Sequence, residues 1–329
     1  VSQAKIGYVA ALEQFPPGEM ISLCETAESH GFSGVMAADH FQPWVPQQGQ
    51  AAYVWNVLGA LGQRTSGDLG PGVTCPTFRN HPATVAQAAA TLEAMYPGRS
   101  WLGLGSGEAL NEHIVGTYWP EVPQRITMMF EAIEIMQKLF TGKDVKHSGD
   151  FFTVHTTRLW TMPERPPPIL VGTAGPITAK KTGARCDGII TPGATVEKVA
   201  GVLAKFEEGA RSAGKDAAVM PKVLQLHLSW APTDEEALDN AMTEWPNGGM
   251  KFHKQDIRSP KDIAAIAALV RPEDFEGRMV ISSDPDLHRA EIQKFLDAGI
   301  TQIYLHNVGR NQTEWMEVFG RDVLPALTS

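Results

Sequence analysis

KIGYVAA at residues 5–11, PGEMISLCETAESH at 17–30 and GVMAADH at 34–40 together decide the fold. The first and third pieces are short apolar runs of strand length. The middle piece places Met20, Leu23, Cys24 and Ala27 on one helical face, and Gly31 ends it. A strand, a helix and a second strand in this order make a βαβ unit with parallel strands. The same alternation continues outward. Further strands are expected at 69–74, 101–105, 169–172, 188–191, 223–230 and 301–306, and helices at 51–64, 82–96, 125–140 and 315–324. The aromatic and β-branched segment 143–165 breaks the rhythm and reads as a hairpin excursion. About eight strands in 329 residues, with no Gly-, Ser- or Pro-rich linker, favour one (β/α)8 TIM barrel spanning 1–329, with insertions between barrel elements.

Composition narrows the function. The net charge of −9 argues against nucleic acid as a partner, since phosphate backbones call for a basic face. No apolar run approaches the roughly 20 residues that span a bilayer, so no membrane partner is expected. Residues 1–14 show no basic-then-apolar leader. Cys24, Cys75 and Cys186 are odd in number and form no CxxC, which suits a reducing, cytoplasmic setting. No HExxH or closely spaced His/Cys set predicts a metal. His81, His113, His227 and His306 are scattered and read mostly as structural or exposed.

Active sites of such barrels lie at the C-terminal ends of the strands. That rule nominates Glu13 after the first strand and Asp39, His40 and Trp44 after the second. It nominates Gly72–Cys75 after the third, Ser106, Gly107, Glu108 and Asn111 after the fourth, and Thr173, Ala174 and Gly175 after the fifth. Taken singly, His40 reads as a loop or core residue, Asp39 equally as a cap, and Trp44 as packing. Convergence of these groups on one mouth favours a site. Gly103–Glu108 follows a strand but lacks the third glycine of a dinucleotide fingerprint, so it reads as a loop that closely approaches a flat ligand. Thr173–Gly175 leads into a helix opened by Pro176, whose free N–H groups suit a phosphate.

The segments Gly7-Tyr8…Glu13-Gln14-Phe15, Asp39-His40-Phe41-Gln42-Pro43-Trp44, Thr74-Cys75-Pro76-Thr77-Phe78-Arg79 and Gly103-Leu-Gly-Ser-Gly-Glu-Ala-Leu-Asn-Glu112 resemble the luciferase-like superfamily. They are most similar to its branch of coenzyme F420-dependent glucose-6-phosphate and secondary alcohol dehydrogenases. The resemblance runs over nearly the whole chain, including Phe206-Glu-Glu-Gly-Ala-Arg211. It implies a bacterial-luciferase-like barrel with F420 across its mouth, a non-prolyl cis peptide at Gly72–Val73 and a homodimer. It implies that Asp39, Gly72, Val73, Ser106, Gly107, Asn111, Thr173, Ala174 and Gly175 hold the cofactor. It further implies that His40 removes a hydroxyl proton, Trp44 steadies the resulting charge, Glu108 serves the reduced ring and Glu13 lines the same pocket. Which of His40 and Glu108 carries which proton stays open.

For the substrate, the resemblance implies Lys254, Arg278 and Thr191. Ala194 stands where the sugar-phosphate branch carries a third cation, and Trp245-Pro-Asn-Gly-Gly249 also departs from that branch. The expectation is an F420-dependent dehydrogenase for a secondary alcohol or lactol. A sugar-6-phosphate dehydrogenase and a non-catalytic flavin- or deazaflavin-binding barrel are the alternatives.

Overall fold

The computed structural model describes residues 4–251 and 254–327; the ends of the expected domain, 1–3 and 328–329, lie outside them. The strands are β1 (Lys5–Ala10), β2 (Gly34–Ala37), β3 (Asp68–Pro71), β4 (Leu102–Leu104), β5 (Val145–Ser148), β6 (Thr153–Thr157), β7 (Ile169–Gly172), β8 (Gly188–Pro192), β9 (Lys222–Ser229), β10 (Val280–Ile281) and β11 (Gln302–Asn307). Eight of them run parallel in the order β3-β2-β1-β11-β9-β8-β7-β4. Parallel bridges Leu69↔Ser100 and Thr74↔Leu104 join the two ends, with Thr74 N–H donating to Gly103 O at 2.9 Å and Gly105 N–H to Thr74 O at 2.9 Å. The expected TIM barrel is therefore formed. Its strands read as unbroken apolar runs because both faces are buried, one in the barrel and one under helices.

The helices are α1 (Pro17–Ser29), α2 (Val54–Arg64), α3 (Pro82–Met95), α4 (Ala109–Glu112), α5 (Val122–Leu139), α6 (Pro176–Arg185), α7 (Val196–Ser212), α8 (Asp234–Glu244), α9 (Pro260–Ala267), α10 (Pro285–Asp297), α11 (Gln312–Asp322) and α12 (Leu324–Leu327). Proline in the first turn opens α1, α3, α5, α6, α9 and α10. Helix α5 starts three residues before the expected 125, because Pro123 sits in its first turn. None of the described helices is long and apolar enough to cross a membrane.

Inside the barrel, Val9, Met36, Trp101, Leu170, Ile190, Val223 and Tyr304 fill the lower part. Trp101 donates its indole N–H to the Tyr304 hydroxyl at 3.2 Å, closing the bottom. Two insertions depart from the repeat. Segment 143–165 holds the expected antiparallel hairpin, β5 with β6, and Glu131 of α5 accepts the backbone N–H of Phe152 at 2.9 Å beside it. Between α8 and α10, the chain folds α9 and β10 over one side of the mouth. There Ile263, Ala267 and Phe275 pack with Trp44, Val45 and Trp245 in a core of their own. β10 pairs with β9 through Val280↔Leu228 and Ile281↔Ser229.

Candidate active site

A cavity of about 300 Å³ opens above the packed layer, walled by the C-terminal ends of the strands. β1 sends up Glu13, β2 sends Asp39, His40 and Trp44, and β4 sends residues 105–108 with Asn111. After β3 the Gly72–Val73 peptide is cis. Val73 lies between Gly105 and Gly172: a Cβ on Gly105 would sit 2.5 Å from its Cγ2, and one on Gly172 3.1 Å from its Cγ1. The glycines thus leave Val73 standing as an apolar shoulder in the cavity. Gly107 turns the β4 loop at φ 83°, where a Cβ would meet Cys75 Sγ at 2.7 Å.

Hydrogen bonds fix the loop that carries His40 and Trp44. Asn111 Oδ1 accepts from the N–H of Phe41 at 2.9 Å and of Gln42 at 3.2 Å. Gln48 Oε1 accepts from Trp44 N–H at 2.9 Å. Asp39 accepts from the Thr74 hydroxyl at 2.8 Å and from Arg79 Nη2 at 2.9 Å. Arg79 also pairs with Glu112, 3.5 Å away.

The ionisable groups fall into distinct states. His40 Nδ1 lies 2.6 Å from Glu13 Oε1, with both side chains largely buried. Burial pulls His40 down, but the charge and contact of Glu13, then Glu108 and Asp39, outweigh it and raise the imidazole to about 9. Glu108 is pushed up by burial, with His40 and Lys254 pulling back. Its Oε2 is buried with no hydrogen-bond partner among the described residues. Lys254 is lowered to about 8 by burial and by Arg278, against Glu108. Its Nζ donates to Asn247 O at 2.7 Å and sits 5.1 Å above the Trp44 ring.

Opposite lies a second imidazole group. His227 Nδ1 and His306 Nδ1 are 2.8 Å apart, and Trp245 lies 4.8 Å from each ring centre. Burial, then Lys254, lowers His227 to about 4. His306 falls well below the ordinary value, through burial and the neighbouring His227.

The profile of luciferase-like monooxygenases matches residues 2–302. The chain belongs to this family. It is 37% identical over 329 residues to an F420-dependent glucose-6-phosphate dehydrogenase of Segniliparus rotundus, covering 99% of this chain and 98% of that one. It is 35% identical over 330 residues to the F420-dependent glucose-6-phosphate dehydrogenase 2 of Rhodococcus jostii, covering 99% and 98%. A solved F420-dependent secondary alcohol dehydrogenase, in complex with an F420–acetone adduct, superposes with a TM-score of 0.93. It is 34% identical over 99% of this chain and 100% of its own.

Within this luciferase-like barrel, the cavity brings together Glu13, Asp39, His40, Trp44, Gly72, Val73, Ser106, Gly107, Glu108, Asn111, Thr173 and Ala174. Other expected residues stand elsewhere. Thr191 does not line it. Strand side chains alternate, and Ile190 points into the barrel, so Thr191 is buried on the outer side. Gly175 caps α6, its N–H held by Thr173 Oγ1 at 3.0 Å, outside the lining. Lys254 is outside the lining but sits over the Trp44 ring, and Arg278 is exposed, donating to Met250 O at 3.2 Å. Ala194 packs against the hydrophobic core.

His227 and His306, expected to be structural or exposed, instead line the cavity with Gln225, Trp245 and Gln255. The strand-end rule reaches them when it is continued to β9 and β11. Val223 and Tyr304 point inward, so Gln225, His227 and His306 share their face. Trp245 and Gln255 belong to the insertion and carry no such signal.

Proposed function

We propose that this chain is an F420-dependent dehydrogenase, one catalytic domain that oxidises a hydroxyl-bearing carbon of a small secondary alcohol or lactol. The observation that carries the reading is His40, held 2.6 Å from Glu13 in the same cavity as the Val73 shoulder. The residues fit a flat deazaflavin. Gly105 and Gly172 offer no Cβ around Val73, and Ser106, Gly107, Thr173 and Ala174 are available along the mouth. Asn111, its oxygen committed to the 41–42 backbone, keeps its amide N–H₂ without a protein partner among the described residues.

When bound, F420 supplies the hydride acceptor. His40, in its neutral form, takes the hydroxyl proton, while Glu13 holds the ring and stabilises the imidazolium formed. The indole N–H of Trp44 has no partner among the described residues and is the donor for the developing oxygen charge. Glu108, pushed up by burial against the pull of His40 and Lys254, would face the deazaflavin ring and could pass it a proton. Asp39, already satisfied by Thr74 and Arg79, orients its loop as well as lining the mouth.

A sugar-6-phosphate substrate is the second reading. Lys254 and Arg278 lie close enough to act on one another's charge, and the relatives named above support it. Ala194 speaks against it, since a charge-assisted contact is lost there. Anaerobic reduction of F420 with secondary alcohols, sugars and sugar phosphates decides between the two. Reduction by none of them leaves the non-catalytic binding barrel. His40→Ala should bind F420 yet lose turnover; retained turnover removes His40 as the base. The resemblance also implies a homodimer, and sedimentation velocity tests its size.

A further inference from the structure

We propose that His227 Nε2 is a fixed hydrogen-bond acceptor in the substrate cavity, selecting for a substrate with a second hydroxyl beside the one oxidised. The proposal rests on the dehydrogenase reading for its substrate class. It is carried by a chain of bonds that fixes the protons.

Gln14 Nε2 donates to Val308 O at 2.8 Å and to Glu244 Oε2 at 3.2 Å. Both groups can only accept, so the amide cannot be reversed. Gln14 Oε1 therefore faces His306 Nε2 at 3.4 Å, and that nitrogen carries the hydrogen. A neutral imidazole has one N–H, so His306 Nδ1 is a lone pair. His227 Nδ1, 2.8 Å away, must donate to it. His227 Nε2 is then left as a bare lone pair. It has no hydrogen-bond partner among the described residues, and its residue lines the cavity. Trp245, tilted 32° to the His227 ring, holds the imidazole in place.

Both imidazoles are neutral near pH 7, because burial lowers them. The acceptor therefore does not turn into a donor in the working range. Glu13 acts on both His40 and His227, which places them around the same volume. One hydroxyl meets His40 and its neighbour meets His227. A substrate without the second hydroxyl leaves this lone pair dry, and sites built to bond a hydroxyl discriminate on that ground.

Two measurements test this. Long-range ¹⁵N–¹H spectra of histidine-labelled protein should show His306 protonated at Nε2 and His227 at Nδ1. A proton on His227 Nε2 overturns the proposal, whatever the enzyme's activity. The second is the ratio of kcat/KM for butane-2,3-diol over butan-2-ol in F420 reduction. It should favour the diol by about tenfold or more in the wild type, the scale of one well-placed hydrogen bond. The ratio should fall toward one in His227→Phe and in Gln14→Leu, which frees the His306 tautomer. A ratio unchanged in both variants overturns the proposal. Should His227→Phe fail to fold by circular dichroism, Gln14→Leu and the spectra still decide. If neither alcohol reduces F420, the dehydrogenase reading fails while the spectra still judge the acceptor.

Discussion

Replacing Glu13 by glutamine keeps the volume and removes the charge 2.6 Å from His40 Nδ1. In the wild type, burial pulls the imidazole down, and Glu13, Glu108 and Asp39 lift it from 6.5 to about 9. At 1.36 kcal/mol per pKa unit, the folded site favours the imidazolium by about 3 kcal/mol. Only about 1% of His40 is then neutral at pH 7 in the resting enzyme. Alcohol oxidation needs the neutral form, so kcat/KM for F420 reduction should rise with pH to a midpoint near 9. The reverse reduction needs the imidazolium and should fall through the same midpoint. In Glu13→Gln, burial opposes only the two remaining carboxylates, and both midpoints should drop by about two pH units or more. Stability follows with a definite sign. A raised folded pKa stabilises fully below the unfolded value of about 6.5, and the contribution is lost as pH rises through 9. Wild-type Tm should therefore decline across that window, and the variant should lack this part of the slope. Initial rates in both directions and thermal melts across the range are the assays. A rate midpoint that stays near 9 in Glu13→Gln refutes the assignment of His40 as the titrating base.

Three further substitutions probe the rest of the mouth. Glu108→Gln keeps the volume and a hydrogen-bonding group but cannot give up a proton. It should bind F420 within a few-fold of wild type while kcat falls about 10²-fold or more, and an unchanged kcat removes Glu108 from proton supply. Gly105→Ala places a Cβ 2.5 Å from Val73 Cγ2. At about 1–3 kcal/mol for such overpacking, fluorescence titration should show F420 binding weakened about tenfold, and undiminished binding would mean that the shoulder does not support the ring. Ala194→Lys restores the missing cation. It should raise kcat/KM for glucose 6-phosphate about tenfold or more and leave a phosphate-free alcohol unaffected, and equal values for both proteins would put the phosphate elsewhere.

The barrel was legible because parallel strands buried on both faces leave continuous apolar runs, and because proline in the first turn opens α1, α3, α5, α6, α9 and α10. Helix α9 and β10 were not, since their core forms with Trp44 and Val45, about two hundred residues away in sequence, and leaves no local period. The site divided along the same line. His40, Trp44 and Glu108 follow directly on strands and were readable by position. Lys254 and Arg278 follow from the resemblance alone; Lys254 sits over the Trp44 ring, and Arg278 is exposed. Strand parity turns Thr191 to the buried outer side, a property set by the register that Ile190 and Pro192 share with β9. His227 and His306, 79 residues apart, became a pair only when β9 and β11 aligned them in register.

That pair sharpens the reading of His40. Both His40 and His227 line one cavity and suffer the same first effect, burial, which disfavours the imidazolium. They nevertheless end near 9 and near 4. The difference lies in the partner at Nδ1. His40 has a carboxylate at 2.6 Å, and His227 has a neutral imidazole at 2.8 Å, with the Lys254 ammonium lowering it further. A group near 9 can exchange a proton with a hydroxyl during turnover, and Glu13 is there to stabilise the cation formed. A group near 4, locked by Gln14 through His306, stays a neutral acceptor over the working range. Charge placement thus turns two buried histidines into a proton carrier and a fixed lone pair, and the group at Nδ1 decides which is which.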